Sequence, residues 1–129
     1  MASPFRRLYA RYNCDVPVFI LSFVTETKIA EGRFVNLSVG GALIDCAQPL
    51  EKHTAYLFEL SWKDSRLALS GRIAWNAPRD PRNPKLLRYG VQFNLTSQQE
   101  DALRILVDKL RQETDRPQAG GFLRRYWNR

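Results

Sequence analysis

A chain of 129 residues is long enough for one domain with its own apolar core, without help from metals or disulfides. Twenty Lys and Arg against thirteen Asp and Glu give a formal net charge of +7. That surplus favours phosphate-bearing partners, but it does not choose among RNA, DNA, anionic lipid and a nucleotide. Cys14 and Cys46 show no C-x-x-C spacing and His53 is the single histidine, which excludes a clustered zinc or thiolate site. Both thiols are expected as small apolar fillers in a reducing, cytoplasmic compartment.

Residues 1–12 read as a flexible arm carrying Arg6, Arg7 and Arg11. The run V-P-V-F-I-L-S-F-V that follows, Val16 to Val24, is too short to span a bilayer and has no small-residue cleavage pattern after it. Its β-branched and aromatic content predicts a buried strand. Five further strands are predicted at 28–37, 41–47, 55–62, 66–76 and 88–95, and six short strands imply a barrel or sandwich. Between the last two lies A-P-R-D-P-R-N-P-K, Ala77 to Lys85, whose prolines make it a stiff exposed hairpin connection with a basic rim. After Thr96 the pattern turns helical. Ser97 is the expected cap with Glu100 as its partner, and Leu103, Leu106, Val107 and Leu110 form the stripe that packs on the barrel. The barrel and helix are assigned to 13–112 and a tail to 113–129. The tail holds Gly120, Gly121 and then F-L-R-R-Y-W-N-R.

Two clusters carry chemistry. In R-L-Y-A-R, Arg7 and Arg11 lie on one side of the chain whether it is helical, about 6 Å apart along the axis, or extended, about 13 Å apart. A planar guanidinium matches the N7 and O6 acceptors of guanine and also pairs with phosphate. In N-L-S-V-G-G, Asn36 supplies an amide and Ser38 a hydroxyl, while Gly40 and Gly41 permit positive φ or close approach of backbone to a ligand.

In order and spacing, the two clusters resemble the signatures of the PilZ domain family of bacterial cyclic di-GMP receptors, R-x-x-x-R followed by D/N-x-S-x-x-G. G-R-I-A-W at Gly71 to Trp75 and Y-G-V-Q-F at Tyr89 to Phe93 resemble the family's late strands, so the likeness covers about residues 6–112. It implies a six-stranded all-β barrel closed by a C-terminal α-helix, and cyclic di-GMP as ligand with no other cofactor. It further implies that Arg7 and Arg11 fold over the ligand while Asn36, Ser38, Gly40 and Gly41 line the wall beneath a guanine. Asn36 stands where many relatives carry Asp, and one amide carbonyl is a weaker match than a carboxylate for guanine N1–H and N2–H. Arg6 resembles the arginine that accompanies two mutually intercalated ligands in the family. A receptor of this kind acts through a separate protein partner.

Catalysis is not expected. There is no G-x-S-x-G elbow and no G-x-x-x-x-G-K-[ST] loop. Two other readings belong beside the receptor. One is a PilZ-type protein-interaction module that binds no ligand. The other is a basic barrel that stacks single-stranded nucleic acid on Tyr9, Tyr12, Trp62 and Trp75. The RNA-binding signature is absent, however, and these aromatics read as alternating core residues. The tail repeats the arm, since F-R-R-L-Y-A-R at Phe5 to Arg11 returns as L-R-R-Y-W-N-R at Leu123 to Arg129. It reads as chance, as a segment packed through Phe122 and Trp127, or as a second basic arm reaching the ligand, an acidic partner or anionic lipid.

Overall fold

The structure is a computed structural model that describes residues 12–115. Six antiparallel strands, β1 (Tyr12–Ser22), β2 (Lys28–Leu37), β3 (Gly41–Cys46), β4 (Ala55–Trp62), β5 (Ser65–Ala77) and β6 (Leu87–Phe93), are followed by one helix, α1 (Ser97–Asp115). The strands close into a barrel in the order β1-β2-β3-β6-β5-β4, and β4 pairs back onto β1. Among the described residues, closure leaves no unpaired sheet edge.

The pleat explains the strands. Along β1, Val16, Val18 and Ile20 point inward and are at most 2% exposed, while Asp15, Pro17 and Phe19 alternate outward. Pro17 falls just before the β4 ladder begins at Val18, so on that side its missing N–H costs no bond. Phe34, Phe58 and Phe93 meet in the barrel centre with ring centroids 6.0 to 6.5 Å apart. The Tyr89 and Tyr56 hydroxyls accept from the Leu50 and Glu51 N–H groups, each at 3.0 Å, and hold the β3–β4 connection against the core.

Several expected boundaries move. β1 begins at Tyr12, inside the segment read as arm, because beyond a bulge between Asn13 and Val16 the chain resumes the ladder, with Tyr12 paired to Leu37 and Asn13 to Asn36. It ends at Ser22, and Phe23 and Val24 stand exposed in the turn. The helix runs three residues past Gln112, into the segment assigned to the tail.

The helix cap also shifts by one residue. Thr96, not Ser97, is the N-cap. The Gln99 N–H donates to Thr96 Oγ1 at 3.1 Å and the Thr96 N–H donates to Gln99 Oε1 at 3.0 Å. T-S-Q-Q therefore forms the reciprocal box that S-Q-Q-E was expected to form, and Glu100 pairs with Arg104 instead. Gln99 Nε2 donates to the Ala68 carbonyl at 3.0 Å and ties the helix start to β5. Leu103, Leu106, Val107 and Leu110 are buried as the stripe requires. At the other end, Lys63 in the β4–β5 turn reaches Glu113 at 2.6 Å. Among the described residues, no helix is long and apolar enough to cross a membrane.

Burial pushes the Cys14 thiol up to about 12, with Asp15 adding to the rise, and pushes Cys46 up to about 11, with Asp45 adding to it. Both values lie above the ordinary 9.0 of an unfolded thiol. The folded state therefore favours the protonated thiols. Their contribution to stability is complete below pH 9 and is lost as the pH rises through 11 to 12. The urea midpoint should fall between pH 9 and 11, and Cys14→Ala with Cys46→Ala should flatten that fall. Iodoacetamide at pH 8 should label neither thiol until the chain unfolds.

Candidate functional site

The N-x-S-x-x-G segment forms the end of β2, the β2–β3 turn and the start of β3, and its polar groups are committed to holding that turn. Ser38 is 3% exposed. Its Oγ donates to the Gly41 carbonyl at 3.1 Å and accepts from the Gly40 and Gly41 N–H groups, both at 3.2 Å. One donor and two acceptors exhaust a hydroxyl, so Ser38 shapes the site without facing outward. The Gly40 carbonyl accepts from the Phe93 N–H at 3.1 Å and seats the turn on β6. At Gly41 the requirement is close approach, not positive φ, because a Cβ there would collide with the Val91 carbonyl oxygen.

Asn36 sits beside a bulge. The β2–β3 register slips between Phe34 and Asn36, and Asn36 Oδ1 accepts from the Leu43 N–H at 3.0 Å. That bond uses one lone pair of the amide carbonyl expected to face guanine, leaving the Nδ2 donors as the main outward resource. Arg6, Arg7 and Arg11 lie outside the described residues. The register still locates where the arm joins the wall, since Tyr12 pairs with Leu37 and Asn13 with Asn36.

Three rows cross the outside of β3, β6 and β5 beside this turn. They run Gly41, Gln92, Arg72, then Leu43, Gly90, Trp75, then Asp45, Arg88, Ala77. In the first row Arg72 donates to Gln92 Oε1 at 2.8 Å and lies 3.2 Å from His53 Nδ1. In the middle row the Trp75 ring lies across Gly90, where any Cβ would strike the indole. Trp75 is 39% exposed. It is therefore an outer-wall residue, and the expectation that it belongs to the alternating core is corrected. The cause is a register slip in β5 between Ile73 and Trp75.

In the third row Arg88 holds Asp45 through two parallel bonds, Nε to Oδ1 at 2.7 Å and Nη2 to Oδ2 at 2.9 Å. The paired carboxylate raises the Arg88 pKa above its ordinary value, so its charge is permanent. Arg33 and Asp15 continue the line of alternating charge onto β2 and β1. The β5–β6 hairpin bends over this row and encloses an open hollow of about 380 Å³ lined by Leu43, Pro78, Arg79, Arg82 and Arg88. Asp80 Oδ1 accepts from the Arg82 N–H at 2.9 Å, and Arg79 Nη1 donates to the Pro84 carbonyl at 3.0 Å. The connection is thus braced from within and its rim is basic, as the sequence suggests.

The wall therefore offers an indole face and a leucine as an apolar floor, an asparagine on one border and arginines on the other. Such a surface suits a planar, anionic, heteroaromatic ligand. Trp75 and Arg88 were not among the expected site residues. The signal for Trp75 was available, since an outward glycine in Y-G-V-Q-F opposite an aromatic is the pattern of a ring covering a bare backbone.

A closed six-stranded antiparallel barrel with a C-terminal helix, bearing this turn on its wall, defines a small all-β barrel domain. The family model for the PilZ domain matches residues 5–109, and the chain belongs to that family. No match is found among curated proteins. Solved structures share the fold. The PilZ domain of YcgR from Escherichia coli with c-di-GMP aligns at a TM-score of 0.68 and 18% identity, covering 84% of this chain and 93% of that one. The inhibitor of motility MotI/DgrA of Bacillus subtilis aligns at 0.67 and 17% identity, over 87% of this chain and 54% of that one. The PilZ domain of CeSA from a cellulose-synthesizing bacterium aligns at 0.61 and 22% identity, over 79% and 98%.

Proposed function

We propose that this protein is a receptor for cyclic di-GMP, with Arg7 and Arg11 closing over a ligand held on the wall of Asn36, Leu43, Trp75 and Arg88. One observation carries the reading. The β1–β2 register sets Tyr12, the residue that follows Arg11, beside Leu37, next to the N-x-S-x-x-G turn, which supports a reading in which the two motifs serve one ligand. The c-di-GMP bound to the similar YcgR domain supports it. Ser38, Gly40 and Gly41 act as positioning residues, and the receptor signals through a separate protein.

Filter binding with cyclic di-GMP, linear dinucleotide, GMP and single-stranded oligonucleotides tests this. The cyclic ligand should bind far more tightly, because it presents two guanines and two phosphates in one rigid frame. Preference for oligonucleotides would move the assignment to a nucleic-acid module. Trp75→Ala should weaken cyclic di-GMP by about 1–3 kcal/mol, the scale of base stacking on an aromatic face. The barrel should stay folded, because the indole lies outside the core. A stoichiometry of two would support the role given to Arg6, and a stoichiometry of one would remove that role while leaving the site intact.

A further inference from the structure

We propose that Asn36 meets the ligand as a hydrogen-bond donor, so that it selects the acceptor edge of guanine, O6 with N7, and not N1–H with N2–H. The inference rests on the receptor reading and fixes the polarity of one of its contacts. By residue type alone the expectation is the reverse, an amide carbonyl that accepts from those two N–H groups.

The orientation of the amide is settled by its partner. Asn36 Oδ1 accepts from the Leu43 N–H at 3.0 Å. A backbone N–H can only donate, so the atom facing it is the oxygen, and Nδ2 occupies the other branch of the side chain. Turning the amide over would set Nδ2 against the Leu43 N–H, donor to donor. It would do so beside the slip between Phe34 and Asn36, where the ladder is already interrupted. Among the described residues no acceptor takes the Nδ2 hydrogens, although Asn36 is half-buried. They are left for a ligand or for water.

The register puts that donor at the border of the stacking floor. Leu37 points into the core at 0% exposure, so Asn36 beside it points outward. Asn36 pairs with Leu43, Leu43 with Gly90 and Gly90 with Trp75, which sets the asparagine in the same row as the indole. On its other side Asn36 pairs with Asn13. No charged side chain stands in this row to override the polarity of the amide. A purine laid on Leu43 and the indole turns one in-plane edge toward β2, where the Nδ2 hydrogens meet it. O6 and N7 accept there, whereas N1–H and N2–H would set donors against donors.

Asn36 is therefore not a weakened aspartate. A carboxylate at this position would keep the Leu43 bond through one oxygen. Its other oxygen would face the acceptor edge with a lone pair and add a negative charge beside a ligand that carries two phosphates.

Asn36→Asp tests this, because it changes the outward atom and keeps the inward one. Its melting temperature should equal that of the wild type, since the Leu43 N–H retains an oxygen acceptor. In calorimetric titrations its affinity for cyclic di-GMP should be about tenfold lower, the scale of one lost hydrogen bond. Cyclic di-IMP, which lacks the 2-amino group, should show the same loss between the two proteins, because the lost contact does not use that group. Tighter binding of cyclic di-GMP by Asn36→Asp, with the gain absent for cyclic di-IMP, would overturn the proposal and restore the acceptor role. Equal affinities of the two proteins would also overturn it. The wild type supplies a measurement independent of the variant's stability. Its Asn36 side-chain amide protons should move downfield on addition of either nucleotide, and unmoved resonances would contradict the donor role. A folded wild type that binds neither nucleotide would end the receptor reading and this proposal with it. Binding by the wild type that Asn36→Asp improves would end the donor role alone.

Discussion

Gly41→Ala should destabilise the protein by about 3 kcal/mol, the upper range for forcing a methyl into a filled site. For a domain of this size that is a fall in melting temperature of about 10 °C. The added Cβ meets the Val91 carbonyl, which is backbone within a paired strand and cannot swing aside as a side chain would. Relief requires β3 to move off β6, which breaks the register that brings Leu43 beside Gly90 and Asp45 beside Arg88. Ligand affinity should therefore fall with stability. Ser38→Ala should act in the same direction, leaving the Gly40 and Gly41 N–H groups without their acceptor. Thermal melts of the two variants check this, and a Gly41→Ala protein as stable as the wild type would contradict the role given to the turn.

Arg7→Ala and Arg11→Ala should have the opposite signature, a large loss of affinity at unchanged stability. Each removes a guanidinium that the proposed site uses on phosphate or on the Hoogsteen edge of guanine. A charge-assisted bond of that kind contributes about 2 kcal/mol, which is about thirty-fold in affinity. Arg7→Lys should recover only part of the loss, because an ammonium keeps the charge but not the planar pair of donors. Equal melting temperatures with weakened cyclic di-GMP binding is the expected result. Wild-type affinity in both alanine variants would contradict the site.

Much of the barrel was legible because its period is local. Val16, Val18 and Ile20 announce an inward face in β1, and the leucine stripe of α1 announces its buried side. What the pattern concealed is the bulges. The slip at Asn13 to Val16 extends β1 toward the arm, and the slip at Ile73 to Trp75 turns an indole from the expected core to the wall. A bulge depends on the partner strand, which no local window contains. The cap moved for a smaller reason, since Thr96 and Ser97 each stand three residues before a capping partner and tertiary placement chose the first.

The candidate site was legible in a different sense. N-L-S-V-G-G forms a polar turn between strands, as its composition suggested, yet the residues expected to face a ligand are partly consumed by it. Ser38 binds its own loop and Gly41 makes room for Val91. Arg88 was hidden because its value arises from Asp45, forty-three positions away in sequence and adjacent only across the β3–β6 ladder.

The most direct measurement is a calorimetric titration of the full chain with cyclic di-GMP. The expected result is saturable, exothermic binding that weakens with salt and is lost with Arg7 and Arg11 replaced together. A flat titration from a protein whose melt shows it folded would contradict the receptor assignment.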